Sequence, residues 1–179
     1  MPRQLLILRH GKSDWGVDID DFERPLKKRG RRGAKAIGKW LRTNDLLPNH
    51  VCSSPAVRAI DTANRTCKSA GFDSSGIVQI ESIYEARLDD LLRVLSACDT
   101  AVRRVMIVGH NPGLEDLLLY LTGGHIPIPE DGKYLPTAAL AVLEMPEDWL
   151  TLEAGSATLH RLLRAKDLMP VQDDDESDV

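Results

Sequence analysis

The chain has 179 residues, of which 42% are hydrophobic and only 4% aromatic, with a formal net charge of −4. That length and composition suit one globular domain whose core is built from Leu, Ile, Val and Ala. The last stretch, DDDESD, holds five carboxylates, so the rest of the chain sums to +1. A nearly neutral body excludes a dedicated nucleic-acid binder, which needs many phosphate-neutralising cations on one face.

The first element is an apolar run, Leu5 to Leu8, which reads as a buried strand. It breaks at Arg9-His10-Gly11, where the glycine is expected to leave room for a ligand and a sharp exit of the chain. The basic run KKRGRRGAK follows, with Lys27, Lys28, Arg29, Arg31, Arg32 and Lys35. It reads as the solvated start of a helix, and alternatively as a cationic rim that guides an acidic partner. Its glycines follow RPLKKR rather than a strand, so they fit a dinucleotide loop poorly. Ala34 to Leu46 then has helical period, with Ile37, Trp40 and Leu41 on one face.

A second strand, Asn49 to Ser53, breaks at SSP, and a helix is expected over Pro55 to Ala70. A short strand near Val78 to Glu81 and a helix over Asp89 to Cys98 come next. A further apolar strand, Val105 to Val108, breaks at GHNPG before a helix over Gly113 to Leu121. Ser54-Pro55 and Asn111-Pro112 each pair a good N-cap with a proline, which predicts helix starts there. Beyond Gly123 the stretch GGHIPIPEDGKYLP reads as a loop. AALAVLEM and Ala157 to Leu163 read as two more strands, separated by a turn around Trp149 to Gly155.

Strands alternating with helices predict an α/β fold, a three-layer α/β/α sandwich on a mostly parallel central sheet. One domain is expected over 1–170, followed by a disordered acidic tail over 171–179. The three cysteines, Cys52, Cys67 and Cys98, are widely spaced and form no CxxC pair, which fits a reducing compartment. The segment before Arg9 is too short for a signal sequence and no apolar run reaches membrane-spanning length. A soluble cytoplasmic protein without a membrane or nucleic-acid partner is therefore expected, its oligomeric state left open.

In an open parallel sheet, ligands bind beyond the carboxyl ends of the strands. Arg9 and His10, Ser53 and Ser54, and Gly109 and His110 would all reach that edge, and Arg58 in the following helix could turn toward it. Taken singly, Arg9 could be a surface cation, His10 a loop histidine, Arg58 an exposed helix residue and His110 a helix cap. Together they suit one dianionic phosphoryl group, aided by nearby helix N-termini. No HExxH motif or metal-spaced carboxylate cluster accompanies them, so neither a metal nor another cofactor is expected. His50, His125 and His160 have no partners in sequence and read as structural or exposed.

These phrases resemble a known family. RHGKSDW resembles the phosphoglycerate mutase signature of the histidine phosphatase superfamily, SSPAVRAIDTA its second-arginine motif, and VGHNPG its second-histidine motif. DFERPLKKRG, YEA and LPTAALAVLE resemble the small SixA-like phosphohistidine phosphatase branch. The resemblance implies a phosphoglycerate mutase-like fold with His10 as nucleophile and Arg9, Arg58 and His110 holding the phosphoryl oxygens. Ser13 would hydrogen-bond near the phosphate. Glu85 would be the general acid, or else a solvated carboxylate before a helix. Gly16 stands where the larger mutases commonly carry asparagine, and their long lid insertions are missing, which implies an open, shallow site. The implied activity is a metal-independent phosphatase working through a covalent phosphohistidine, with a phosphohistidine-bearing protein as substrate. A phosphomonoesterase for a small phosphorylated metabolite, such as a sugar phosphate or nucleotide, and a non-catalytic phosphate-recognition module are the alternatives.

Overall fold

The computed structural model describes residues 2–170, so the acidic stretch 171–179 lies outside the described residues. Six strands form one sheet: β1 (Arg3–Arg9), β2 (His50–Ser53), β3 (Ile77–Gln79), β4 (Arg104–Gly109), β5 (Ala139–Met145) and β6 (Thr158–Arg164). Their spatial order is β3-β2-β4-β1-β5-β6. The first four pair in parallel, while β5 pairs antiparallel with both β1 and β6. The expected mostly parallel sheet is thus right for β1 to β4 and wrong for the last two pairings. The continuous apolar run of β5 signals burial on both faces but carries no information about direction.

Five α-helices complete the described fold: α1 (Lys28–Thr43), α2 (Val57–Ala70), α3 (Leu88–Ser96), α4 (Gly113–Leu121) and the short α5 (Ala165–Leu168). Successive side chains of β1 point to opposite faces of the sheet, so Leu5 and Ile7 enter one core and Leu6 and Leu8 the other. All four are fully buried. Leu5 and Ile7 meet Leu91 and Leu95 of α3 and Leu114, Leu117 and Leu118 of α4. Leu6 and Leu8 meet Ile37 and Leu41 of α1 and Ala63 and Cys67 of α2. The expected three-layer α/β/α sandwich follows. Each buried leucine contributes roughly 1.5–3 kcal/mol relative to exposure, so the strand that carries Arg9 and His10 is among the most firmly held segments.

α1 starts six residues before the periodic pattern does and takes in the glycines of the basic run. A Cβ on Gly30 would lie 2.1 Å from Lys12 O, and one on Gly11 would lie 2.7 Å from Gly30 O. Gly11 therefore serves the close approach of α1 to the chain leaving β1. The two expected proline helix starts also shift. Ala56 caps α2, and Pro112 caps α4 after a cis Asn111-Pro112 bond, so neither proline occupies the first helical position. Trp149, expected in a turn, is fully buried, and its Nε1 donates to Val102 O at 2.9 Å.

Candidate active site

Strand register brings the two histidines abreast. Arg9 of β1 pairs with Gly109 of β4, so His10 and His110 leave the carboxyl edge side by side, with ring centroids 5.2 Å apart. His10 N donates to Gly109 O at 3.1 Å, and Ala138 N donates to His10 O at 3.0 Å. Gly11 N donates to Thr62 Oγ1 at 2.9 Å, and that hydroxyl donates to Arg58 O at 2.7 Å. The nucleophile candidate is therefore pinned from three directions before any ligand arrives.

His10 is buried, and its Nδ1 lies 2.8 Å from Gly11 O. A carbonyl can only accept, so in the neutral ring Nδ1 carries the hydrogen and Nε2 keeps its lone pair. Burial pushes the His10 pKa down to about 3, with His110, Arg58 and Arg9 acting in the same direction and the Gly11 hydrogen bond opposing. Burial also lowers that of His110 to about 4, reinforced by Arg58 and opposed by Asp21. Both rings are neutral near pH 7.

Arg9 Nη1 donates to Leu135 O at 3.0 Å, and Asn111 Nδ2 donates to the same carbonyl at 2.8 Å. Burial lowers the pKa of the Arg9 guanidinium, while Glu115 opposes that shift. His110 Nε2 lies 2.8 Å from Ser54 Oγ. Arg58, buried in the first turn of α2, donates from Nη1 to Asp21 O at 2.6 Å and from Nη2 to Asp21 Oδ2 at 3.0 Å. Buried Arg24 reaches Asp21 Oδ1 at 2.9 Å and donates to buried Ser13 Oγ, with its guanidinium 3.6 Å from the centre of the Trp15 ring. Ser13 thus has Arg24 as its immediate partner.

Asp21 was not singled out in the sequence. Its carboxylate accepts from Arg24, Arg58 and the Tyr84 hydroxyl, the last at 2.7 Å. These bonds hold its pKa far below the ordinary carboxylate range, although burial acts the other way. Arg24 three residues on, in DFERP, was the available signal. Tyr84 in turn packs edge-on against His110 at 5.5 Å. Glu85 follows it, exposed and with φ of 53°. A non-glycine residue at positive φ costs free energy and is enriched at functional sites. The structure brings Arg9, His10, Arg58 and His110 into one cluster, whereas Glu85 makes no hydrogen bond to any of the four and acts on the neighbouring Tyr84. His50 is half-buried, while His160 is exposed, with Nε2 3.2 Å from Glu144 Oε2.

Four buried nitrogens at this place have no hydrogen-bond partner: Arg9 Nε, Arg24 Nε, Arg58 Nε and His110 Nδ1. Buried polar groups are ordinarily satisfied. Unpartnered nitrogens of this kind could serve an acceptor-rich ligand such as a phosphoryl group. Among the described residues no group of three or more His, Cys, Asp or Glu is arranged to hold a metal ion. No described helix is long and apolar enough to cross a membrane.

A family model of the histidine phosphatase superfamily (branch 1) matches residues 5–91. A putative phosphohistidine phosphatase SixA from Agrobacterium tumefaciens superposes with a TM-score of 0.73 at 30% identity, covering 91% of this chain and 98% of that one. The chain belongs to the histidine phosphatase superfamily. An uncharacterized protein of Mycobacterium tuberculosis is 31% identical over 156 residues, 85% of this chain and 96% of the relative. The protein histidine phosphatase SixA complexed with tungstate matches at a TM-score of 0.78 and 21% identity, covering 93% of this chain and 99% of that one. This last similarity shows the fold, which is phosphoglycerate mutase-like. The superfamily and its SixA neighbours support a histidine-phosphatase type of activity.

Proposed function

We propose that the chain hydrolyses protein phosphohistidine without a metal ion, through transient phosphorylation of His10 Nε2. The observation that carries this reading is the tautomer of His10 amid the unpartnered nitrogens. Nδ1 gives its hydrogen to Gly11 O, which leaves Nε2 as the free nucleophile. Arg9, Arg58 and His110 receive the equatorial phosphoryl oxygens, Arg24 adds a fourth unpartnered nitrogen, and Ser13 steadies Arg24. Cationic and N–H groups fixed before the reaction supply the charge stabilisation that dominates catalysis of phosphoryl transfer.

In the first step the Nε2 lone pair attacks phosphorus and the bond from phosphorus to the substrate nitrogen breaks. The departing imidazole keeps the bonding pair and is neutral if its ring was protonated beforehand. In the second step water attacks the phosphorylated His10 and inorganic phosphate leaves, restoring the free ring. Glu85 is the proposed proton donor for an ester, whose alkoxide leaving group needs one more urgently than imidazole does. The small domain without lid insertions favours a phosphate displayed on a protein. The Agrobacterium relative, a putative phosphohistidine phosphatase, points the same way.

Hydrolysis of an aryl phosphate in EDTA, with His10→Ala beside the unsubstituted chain, tests the chemistry. Activity should persist in EDTA and fall by at least ~10⁴-fold in the variant. Activity that requires added metal, or that survives in His10→Ala, contradicts the mechanism. For the substrate class, kcat/KM should be higher for a phosphohistidine peptide than for any sugar phosphate. The reverse order would assign the site to small metabolites.

A further inference from the structure

Next to His10 lies a cleft of about 250 Å³ whose wall carries Lys12, Arg29, Lys133, Arg164 and Lys166 against a single carboxylate, Asp131. Asp131 is already engaged: Arg164 donates to both of its oxygens, at 2.6 and 2.8 Å, and Lys133 N donates to Oδ1 at 3.0 Å. Asp167 also acts on Arg164. Lys12, Arg29, Lys133 and Lys166 are exposed, and among the described residues none of their side chains forms an ion pair. The five cations come from the chain after β1, the first turn of α1, the loop before β5, the end of β6, and α5. Like charges drawn from separate segments repel one another, so their gathering disfavours the free protein.

The cleft and the nucleophile share backbone. Lys12 lies two residues after His10, and Ala138, which lines the cleft, donates its N–H to His10 O at 3.0 Å. Gly30, also in the lining, touches the Lys12 peptide so closely that no side chain fits between them. The lining thus meets the main chain of His10, while the side chains of Arg9, His10, Arg58 and His110 lie outside it.

We propose that this cleft is a subsite for acidic side chains of the phosphorylated protein substrate, an assignment that rests on the proposed phosphoprotein reading. The volume is below the ~300–1,000 Å³ of sites that engulf a small molecule, yet it admits one or two carboxylates. A nucleic acid would need a longer stripe of cations. Of the basic side chains in the run 27–35 only that of Arg29 lines the cleft, so its other cations come from other segments. A cleft lined by one sign of charge concentrates oppositely charged partners, and salt screens the effect.

The test compares a phosphohistidine peptide flanked by glutamates with the same peptide flanked by glutamines. At low ionic strength the acidic peptide should have the higher kcat/KM by roughly 10-fold, and about 0.5 M salt should remove most of the preference. Lys133→Glu with Lys166→Glu should abolish the preference, read as the ratio between the two peptides within each protein. A second readout needs no turnover: a fluorescent, unphosphorylated glutamate-rich peptide should bind the unsubstituted chain at low salt and the double variant at least ~10-fold more weakly. An unchanged peptide ratio, absence of binding, or equal binding to both proteins overturns the subsite. If neither phosphohistidine peptide is hydrolysed, the substrate reading fails, while the binding comparison still decides the cleft.

Discussion

The two halves of the sheet contribute different things to the same site. The parallel half delivers the side chains proposed to react: Arg9 and His10 at the end of β1, His110 after β4, and Arg58 in the helix after β2. The antiparallel half delivers backbone. The segment that enters β5 gives Leu135 O to Arg9 and Ala138 N to His10 O. Chemistry placed at the ends of parallel strands inherits the rigidity of a buried core, and groups from outside that half then fix its orientation.

Arg58→Ala should have the largest effect among these tests of that division. Removing a preorganised donor to the phosphoryl group should lower kcat/KM for aryl phosphate by ~10²–10³-fold, measured by steady-state kinetics. A loss below 10-fold would place Arg58 among the supports.

The pH dependence of stability sharpens the account of the two histidines. Both native pKa values, about 3 and about 4, lie below the unfolded value near 6.5. Between those limits the unfolded chain binds protons that the native chain refuses, so stability is highest above pH 6.5 and falls as pH is lowered. Each fully refused proton amounts to ~1.4 kcal/mol per pH unit. Thermal unfolding from pH 7 to pH 5 should show a falling Tm, with a shallower fall in His110→Gln. A flat profile, or an equal slope in the variant, contradicts neutral buried rings.

Asp21→Asn should be the mildest. The amide keeps the shape and the backbone bond from Arg58 to Asp21 O but loses the charge that orients two guanidinium groups, so kcat/KM should fall ~10-fold. A loss equal to that of Arg58→Ala would erase the distinction between reacting groups and supports.

The clustering of Arg9, His10, Arg58 and His110 was legible because each follows a local signal, an apolar strand broken by a polar or glycine-containing turn. Their supports act across long sequence separations that no local pattern records. Leu135 meets Arg9 across 126 positions, Thr62 meets Gly11 across 51, and Asp21 meets Arg58 across 37. Gly11 was legible as a special position, but its close contact with Gly30 of α1 was not. The layers followed from periodicity. The direction of β5 did not, since a strand buried on both faces reads alike in either orientation.

His10 Nε2 is the atom proposed to become phosphorylated. The most direct measurement is to quench the reaction early under alkaline conditions, which preserve phosphohistidine, and to locate the phosphate by mass spectrometry and phosphorus NMR. The Nδ1–H bond to Gly11 O predicts phosphate on Nε2 of His10 and on no other residue. Phosphate on Nδ1 of His10 or on a different side chain, or turnover that passes through no phosphoenzyme, would contradict it.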